Sequence, residues 1–170
     1  MSSARRWDWS PFHEYPVLMI KHIRSVTAVV ALSCAALTVP VVAHGTPSEG
    51  ISAVTYADVE IPADLLPFIP DGIHAVAKQI TIAPGGTTGW HYHDGPVVGI
   101  VQAGTLSHPG PDCKPVIFNT GALINEPAGD NNVHQGQNLG KVPVILDVVY
   151  LEPLGKPLFE DAPAPPCAAK

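Results

Sequence analysis

The sequence predicts an all-β fold, a sandwich or closed barrel, on three observations: short apolar runs at even spacing, dense turn punctuation between them, and too much Gly and Pro for long helices. The 170 residues include 15 Gly and 19 Pro. Each Pro removes a backbone donor and each Gly raises the entropic cost of ordering, so helices are disfavoured along the whole chain. At 46% hydrophobic and 14% charged the sequence is apolar enough to fold, and its length suits one domain.

The first 43 residues are expected to be a targeting segment rather than part of that domain. A basic stretch (Lys21, His22, Arg24) precedes an apolar run from about Val26 to Val42 and the small-residue site Val41-Val42-Ala43. This reads as a secretory signal peptide cut after Ala43, with Met19 as an alternative start. The run is short for a membrane span and is broken by Ser33 and Pro40, so export without a retained span is expected.

The domain itself is expected over residues 46–165. Predicted strands are Ile51–Val54, Lys78–Ala83, Gly89–His93, Val97–Ala103, Thr105–His108, Pro115–Asn119, Ala122–Glu126 and Val142–Leu151, with Asn132–Gln137 as a ninth. Turn signals separate them, including Pro84-Gly85-Gly86, Asp94-Gly95-Pro96, Pro109-Gly110-Pro111 and Pro127-Ala128-Gly129. Ala63–Phe68 is the one helical piece, too short and Pro-flanked to shape the fold. The tail from Pro153 to Lys170 reads as an extended, Pro-rich strap.

From His44 onward the chain has five Lys, no Arg and thirteen acidic residues, a formal charge of −8. Phosphate backbones and anionic membrane surfaces need a basic stripe, so nucleic acid and membrane are excluded as partners and a small molecule is expected instead. The same segment keeps two cysteines, Cys113 and Cys167, and an even count in an exported chain suggests one disulfide. Closing that loop would stabilise the fold by about 4 kcal/mol in the chain-entropy model.

Chemistry concentrates in one strand. Alternate residues of a strand share a face, so His91 and His93 project together while Trp90 and Tyr92 point the other way, as outer-face packing or a homodimer contact. Two imidazoles on one face are half of a site for a divalent transition metal, with Fe, Mn, Zn, Ni and Cu all admissible, and His134 is the candidate third ligand. His108, entering the turn-rich Pro109-Gly110-Pro111 stretch, is expected to face solvent. Tyr150 is read as an ordinary sheet tyrosine, and His44 and His74 have no motif around them.

These residues resemble the cupins. The first cupin pattern is Gly, five residues, His-x-His, three or four residues, Glu, six residues, Gly, against Gly85, His91, His93, Val97 and Gly104 here. The second is Gly, five residues, Pro-x-Gly, two residues, His, three residues, Asn, against Gly121, Pro127, Gly129, His134 and Asn138. Together they cover about a third of the chain and depart in two ways: Val97 replaces the Glu ligand, and the gap from Gly129 to His134 holds two extra residues. The resemblance implies a jelly-roll-like β-barrel with a three-His metal site, similar to the cupins that use a neutral triad to activate dioxygen on iron. Such a site favours an anionic substrate.

Two functions follow as expectations: a metal-dependent oxygenase, isomerase or lyase acting on a small acid or carbonyl compound, or a non-catalytic binding module. Val97 is expected to face the barrel interior. Glu126, just before Pro127, could swing in as a replacement carboxylate, but is read as an ordinary exposed strand-end residue.

Overall fold

The computed structural model describes residues 45–65 and 68–169. The expected signal segment, residues 1–43, and His44 lie outside them. Nine strands are formed: β1 (Glu49–Ile61), β2 (Ile73–Thr87), β3 (His91–Tyr92), β4 (Val97–Ala103), β5 (Thr105–Pro109), β6 (Pro115–Asn119), β7 (Leu123–Glu126), β8 (Val144–Glu152) and β9 (Glu160–Asp161). Short 3-10 turns sit at Asp130–Asn132 and Pro166–Ala169.

One five-stranded sheet runs in the order β1-β2-β8-β4-β7, and β3-β9 and β5-β6 make two-stranded sheets. Isolated bridges join these pieces: Thr87 and Ser107 each pair with Gln137, and His91 pairs with His134. The result is the expected all-β, jelly-roll-like barrel. Its core is built by alternation. Along β4, Val97, Gly99 and Val101 are buried while Val98 and Gln102 face out. Ile82, Val97, Val101, Leu106, Ile124 and Val144 are at most 2% exposed. Each such side chain contributes about 1.5–3 kcal/mol by leaving water.

Four expectations need correction. β2 runs through Pro84-Gly85-Gly86 instead of stopping there. Ile51 pairs with Ile82 and Glu49 with Thr87, so the residues between bulge out of the ladder, where a proline without an N–H costs no hydrogen bond. Asn132–Gln137 is not a strand; the backbone N–H of Asn132 donates to Gly129 O at 3.0 Å and its side chain to Ala128 O at 2.7 Å, closing a turn. Ala63–Leu65 is a turn. Trp90 is only 4% exposed. Its backbone is bonded to Thr46 and Ala162, so the segments before β1 and after β9 cover this edge, and Trp90 is packed within the chain rather than free for a dimer contact.

The tail is an extended strap as expected, but it also carries β9. The expected disulfide is present: Cys113 and Cys167 are bonded with Cα atoms 6.0 Å apart, closing 54 residues of sequence separation and fastening the tail to the β5–β6 connection. Among the described residues no helix is long and apolar enough to cross a membrane.

Candidate metal centre

His91 lies in β3 and His93 just beyond it, on the same side, as strand alternation requires. His134 arrives from the segment after the 3-10 turn, held by a reciprocal backbone pair: His91 N–H donates to His134 O and His134 N–H to His91 O, both at 2.9 Å. The two extra residues before His134 are absorbed by the turn, so its ring still meets the others. Gly129 joins the two halves, donating its N–H to His93 O at 2.7 Å with φ at 103°, where a side chain would be strained. Asn138 is buried and structural. Its amide donates to Ile82 O and Val142 O and accepts from Gly140 N–H, pinning the connection to β8.

The three imidazoles share one tautomer. His91 Nδ1 lies 2.8 Å from Gly89 O, His93 Nδ1 lies 2.6 Å from Leu158 O and His134 Nδ1 lies 2.8 Å from Asn132 O. A carbonyl only accepts, so each neutral ring carries its proton on Nδ1 and presents the Nε2 lone pair to the others. Backbone carbonyls holding the far nitrogen are the usual support of metal-bound imidazoles. Ligand atoms of the three residues lie within 4.8 Å of one another, and all three are buried. The Nε2 atoms of His93 and His134 are buried with no hydrogen-bond partner. Unpaired buried polar atoms are costly, and a metal ion is the partner that would satisfy converging lone pairs. The donor set fits.

Two residues that the sequence placed outside belong here. Glu126 is not an exposed strand end: its side chain is 15% exposed, with Oε2 at 3.2 Å from His93 Nε2 and 3.6 Å from His134 Nε2. Its Oε1 accepts from His108 Nε2 at 2.9 Å, so His108, 13% exposed, is not the solvent-facing residue expected. Alternation carried the missed signal. Glu126 shares a strand face with buried Ile124, and His108 shares one with buried Leu106. Glu126 thus sets a carboxylate beside the three histidines that the resemblance implied as a neutral triad. His74, by contrast, bonds Asp58 at 2.8 Å on the β1–β2 surface and takes no part in the site.

The electrostatics follow from burial and these contacts. Burial, then the neighbouring His134, lowers the His91 imidazole to about 4. Burial also pulls His93 down, but its contact with the Glu126 carboxylate outweighs this and leaves it above its ordinary value. Burial would raise the Glu126 carboxyl, yet His108, His134 and His93 around it hold it well below the usual carboxylate range.

Val97 is 2% exposed and borders the site, as expected. Tyr150, read as an ordinary sheet tyrosine, is also part of it. Its ring centroid is 5.6 Å from that of His93, and burial, then the charges of Glu126 and Glu152, keep its phenol protonated. Tyr150, His91, Ile51, Ile80 and Phe159 line a cavity of about 100 Å³, room for a molecule of a few heavy atoms.

The family description "Cupin domain" matches residues 78–150, which hold all three histidines, Val97, Glu126 and Tyr150. That segment is a cupin domain. Solved structures repeat the fold. The polyketide cyclase RemF from Streptomyces resistomycificus is 18% identical with a TM-score of 0.52, over 69% of this chain and 75% of that chain. A cupin-like protein from Thermotoga maritima gives 16% and 0.52, over 69% and 80%. A Klebsiella pneumoniae protein with a double-stranded β-helix domain gives 19% and 0.52, over 68% and 83%. At such identities the likeness is one of fold. No curated protein matches this chain.

Proposed function

We propose that this cupin domain is exported, holds one divalent transition metal ion through Nε2 of His91, His93 and His134, and acts as a metal-dependent oxygenase on a small acid or carbonyl compound. The shared tautomer of the three buried imidazoles carries the reading, because it turns three Nε2 lone pairs toward one another and leaves those of His93 and His134 buried without a hydrogen-bond partner. A bound ion would supply Lewis acidity and coordination positions open to exogenous ligands. The chain's own residues would do the rest. Ile51, Ile80 and Phe159 give the cavity apolar walls that limit water, and its volume of about 100 Å³ restricts the substrate to a small molecule. Tyr150 keeps its proton and is placed to donate a hydrogen bond to a carbonyl or carboxylate oxygen. The disulfide supports export, since such bonds persist in oxidising compartments.

The alternative, a non-catalytic binding module, is weakened by Glu126, His108 and Tyr150, which set further acid or base groups beside the histidines. The test is elemental analysis of the purified protein, followed by dioxygen uptake against a panel of small carboxylic acids and carbonyl compounds. One redox-active ion per chain with substrate-dependent uptake is expected. Turnover without dioxygen use would redirect the reading to an isomerase or lyase, a bound ion with no turnover to the binding module, and a metal-free protein that takes up no added ion would sink it.

A further inference from the structure

The carboxylate that the cupin pattern places at position 97 has a neighbour with the same chemistry. In the antiparallel register Val97 on β4 is the Cα partner of Glu126 on β7 and of Tyr150 on β8. Directly opposed residues point to the same face of a sheet with Cβ atoms about 5 Å apart. A carboxylate moved from position 97 to position 126 therefore stays on the same inner wall, shifted sideways by one strand. We propose that Glu126 is the carboxylate ligand of this site, replacing the Glu absent at Val97, and that His108 positions it; this rests on the three-His reading above.

Distances carry the proposal. Metal–ligand bonds of about 2.0–2.2 Å place neighbouring ligands of a tetrahedral or octahedral ion about 2.8–3.6 Å apart. Glu126 Oε2 is 3.2 Å from His93 Nε2 and 3.6 Å from His134 Nε2, both within that span. Neither Nε2 has a hydrogen-bond partner, so the oxygen stands beside two lone pairs without sharing a proton along either ring axis. The other oxygen, Oε1, is occupied by His108 Nε2 at 2.9 Å, which fixes the carboxylate's rotation and leaves Oε2 for single-point ligation. His108, Glu126 and His134 also border an opening of about 240 Å³.

The test uses full-length protein stripped with chelator and titrated with Co²⁺, followed by calorimetry and by the visible d–d bands, which report the ligand set. Wild type should bind one Co²⁺ per chain. E126Q should weaken binding at least ten-fold and shift the bands, H108A should weaken it a few-fold with a smaller shift, and V97E/E126Q should recover affinity to within about three-fold of wild type. An E126Q protein with unchanged affinity or unchanged bands overturns the proposal while leaving the three-His site standing. Two Co²⁺ per chain overturns it in favour of a second ion between His108, Glu126 and His134. No Co²⁺ binding by wild type removes both readings. Should E126Q fail to fold, the folded double variant decides: binding supports the exchange of positions, and its failure overturns it.

Discussion

The two halves of the site are built by different means. His91 and His93 come from one strand and its immediate continuation, where the pleat alone sets their common direction and a backbone ladder to His134 locks the edge. His134 and Glu126 flank a connection in which Gly129 and a 3-10 turn set the geometry, and there each position depends on a few individual hydrogen bonds. The strand half keeps its spacing because a one-residue slip would turn both imidazoles away from the interior. The connecting half can change length, since a turn absorbs added residues without moving its ends. Sequence change is accordingly found there: two extra residues in the loop, and a carboxylate at Glu126 where the strand half has lost one at Val97.

The largest effect that would break this contrast comes from removing ligands. His91→Ala, His93→Ala and His134→Ala should each lower metal affinity by a thousand-fold or more by calorimetry while the barrel's circular dichroism is kept. Retention of full affinity by the His134 variant would mean that His134 is not a ligand.

Next is Val97→Glu, which sets two carboxylates opposite each other on one buried wall. Burying a second unpaired charge beside Glu126 costs several kcal/mol, so the chelator-stripped variant should melt about 10 °C or more below wild type and recover on adding metal. A melting temperature indifferent to both would show that position 97 does not face the site.

The pH dependence of the stripped protein comes third. His91, with its folded value lowered to about 4, resists a proton that the unfolded chain accepts from about pH 6.5 downward. Stability should therefore fall by about 3 kcal/mol as the pH drops from 6.5 to 4. His93 has the opposite sign: its folded value is raised, so its contribution is present below pH 6.5 and is lost as the pH rises through the folded value. Glu126, held low, keeps its contribution until the pH drops below the usual carboxylate range. With the ion bound the folded rings take up no proton while the unfolded chain still does, so urea midpoints should rise with pH more steeply with metal than without; a His93 contribution that still falls with rising pH in the metal-loaded protein would detach that ring from the ion.

The smallest effect sharpens the picture of the loop. Asn132→Ala removes the side-chain bond to Ala128 O that closes the turn, at a cost of about 1 kcal/mol in stability and a few-fold in metal affinity, because Asn132 O orients His134. An affinity unchanged within error would show that the turn orients His134 without it.

The barrel was legible because alternation and turn signals are local, and His91 and His93 were legible because one strand carries both. Glu126 was misread because its place before Pro127 suggested an exposed end, while Ile124 on the same face pointed inward. His108 was misread from the Pro-Gly-Pro that follows it, although β5 continues to Pro109 and keeps the ring under cover. The β2 bulge escaped because Pro and Gly signal a turn locally, whereas only the pairing with β1 shows the strand resuming beyond them. Tyr150 belongs to the site through register with Val97, a relation between distant segments that no single window contains.

Leu158, whose carbonyl holds His93 Nδ1, lies on the strap between β8 and Cys167. Even with Cys113 and Cys167 reduced, that stretch of the strap would keep the two residue pairs of β9 with β3, the bond from Ala162 N–H to Trp90 O and the packing of Leu158 against the core. The far end of the strap, beyond β9, is what the disulfide holds: it closes the Pro-rich tail against the β5–β6 connection, while the part that touches His93 is seated by its own contacts.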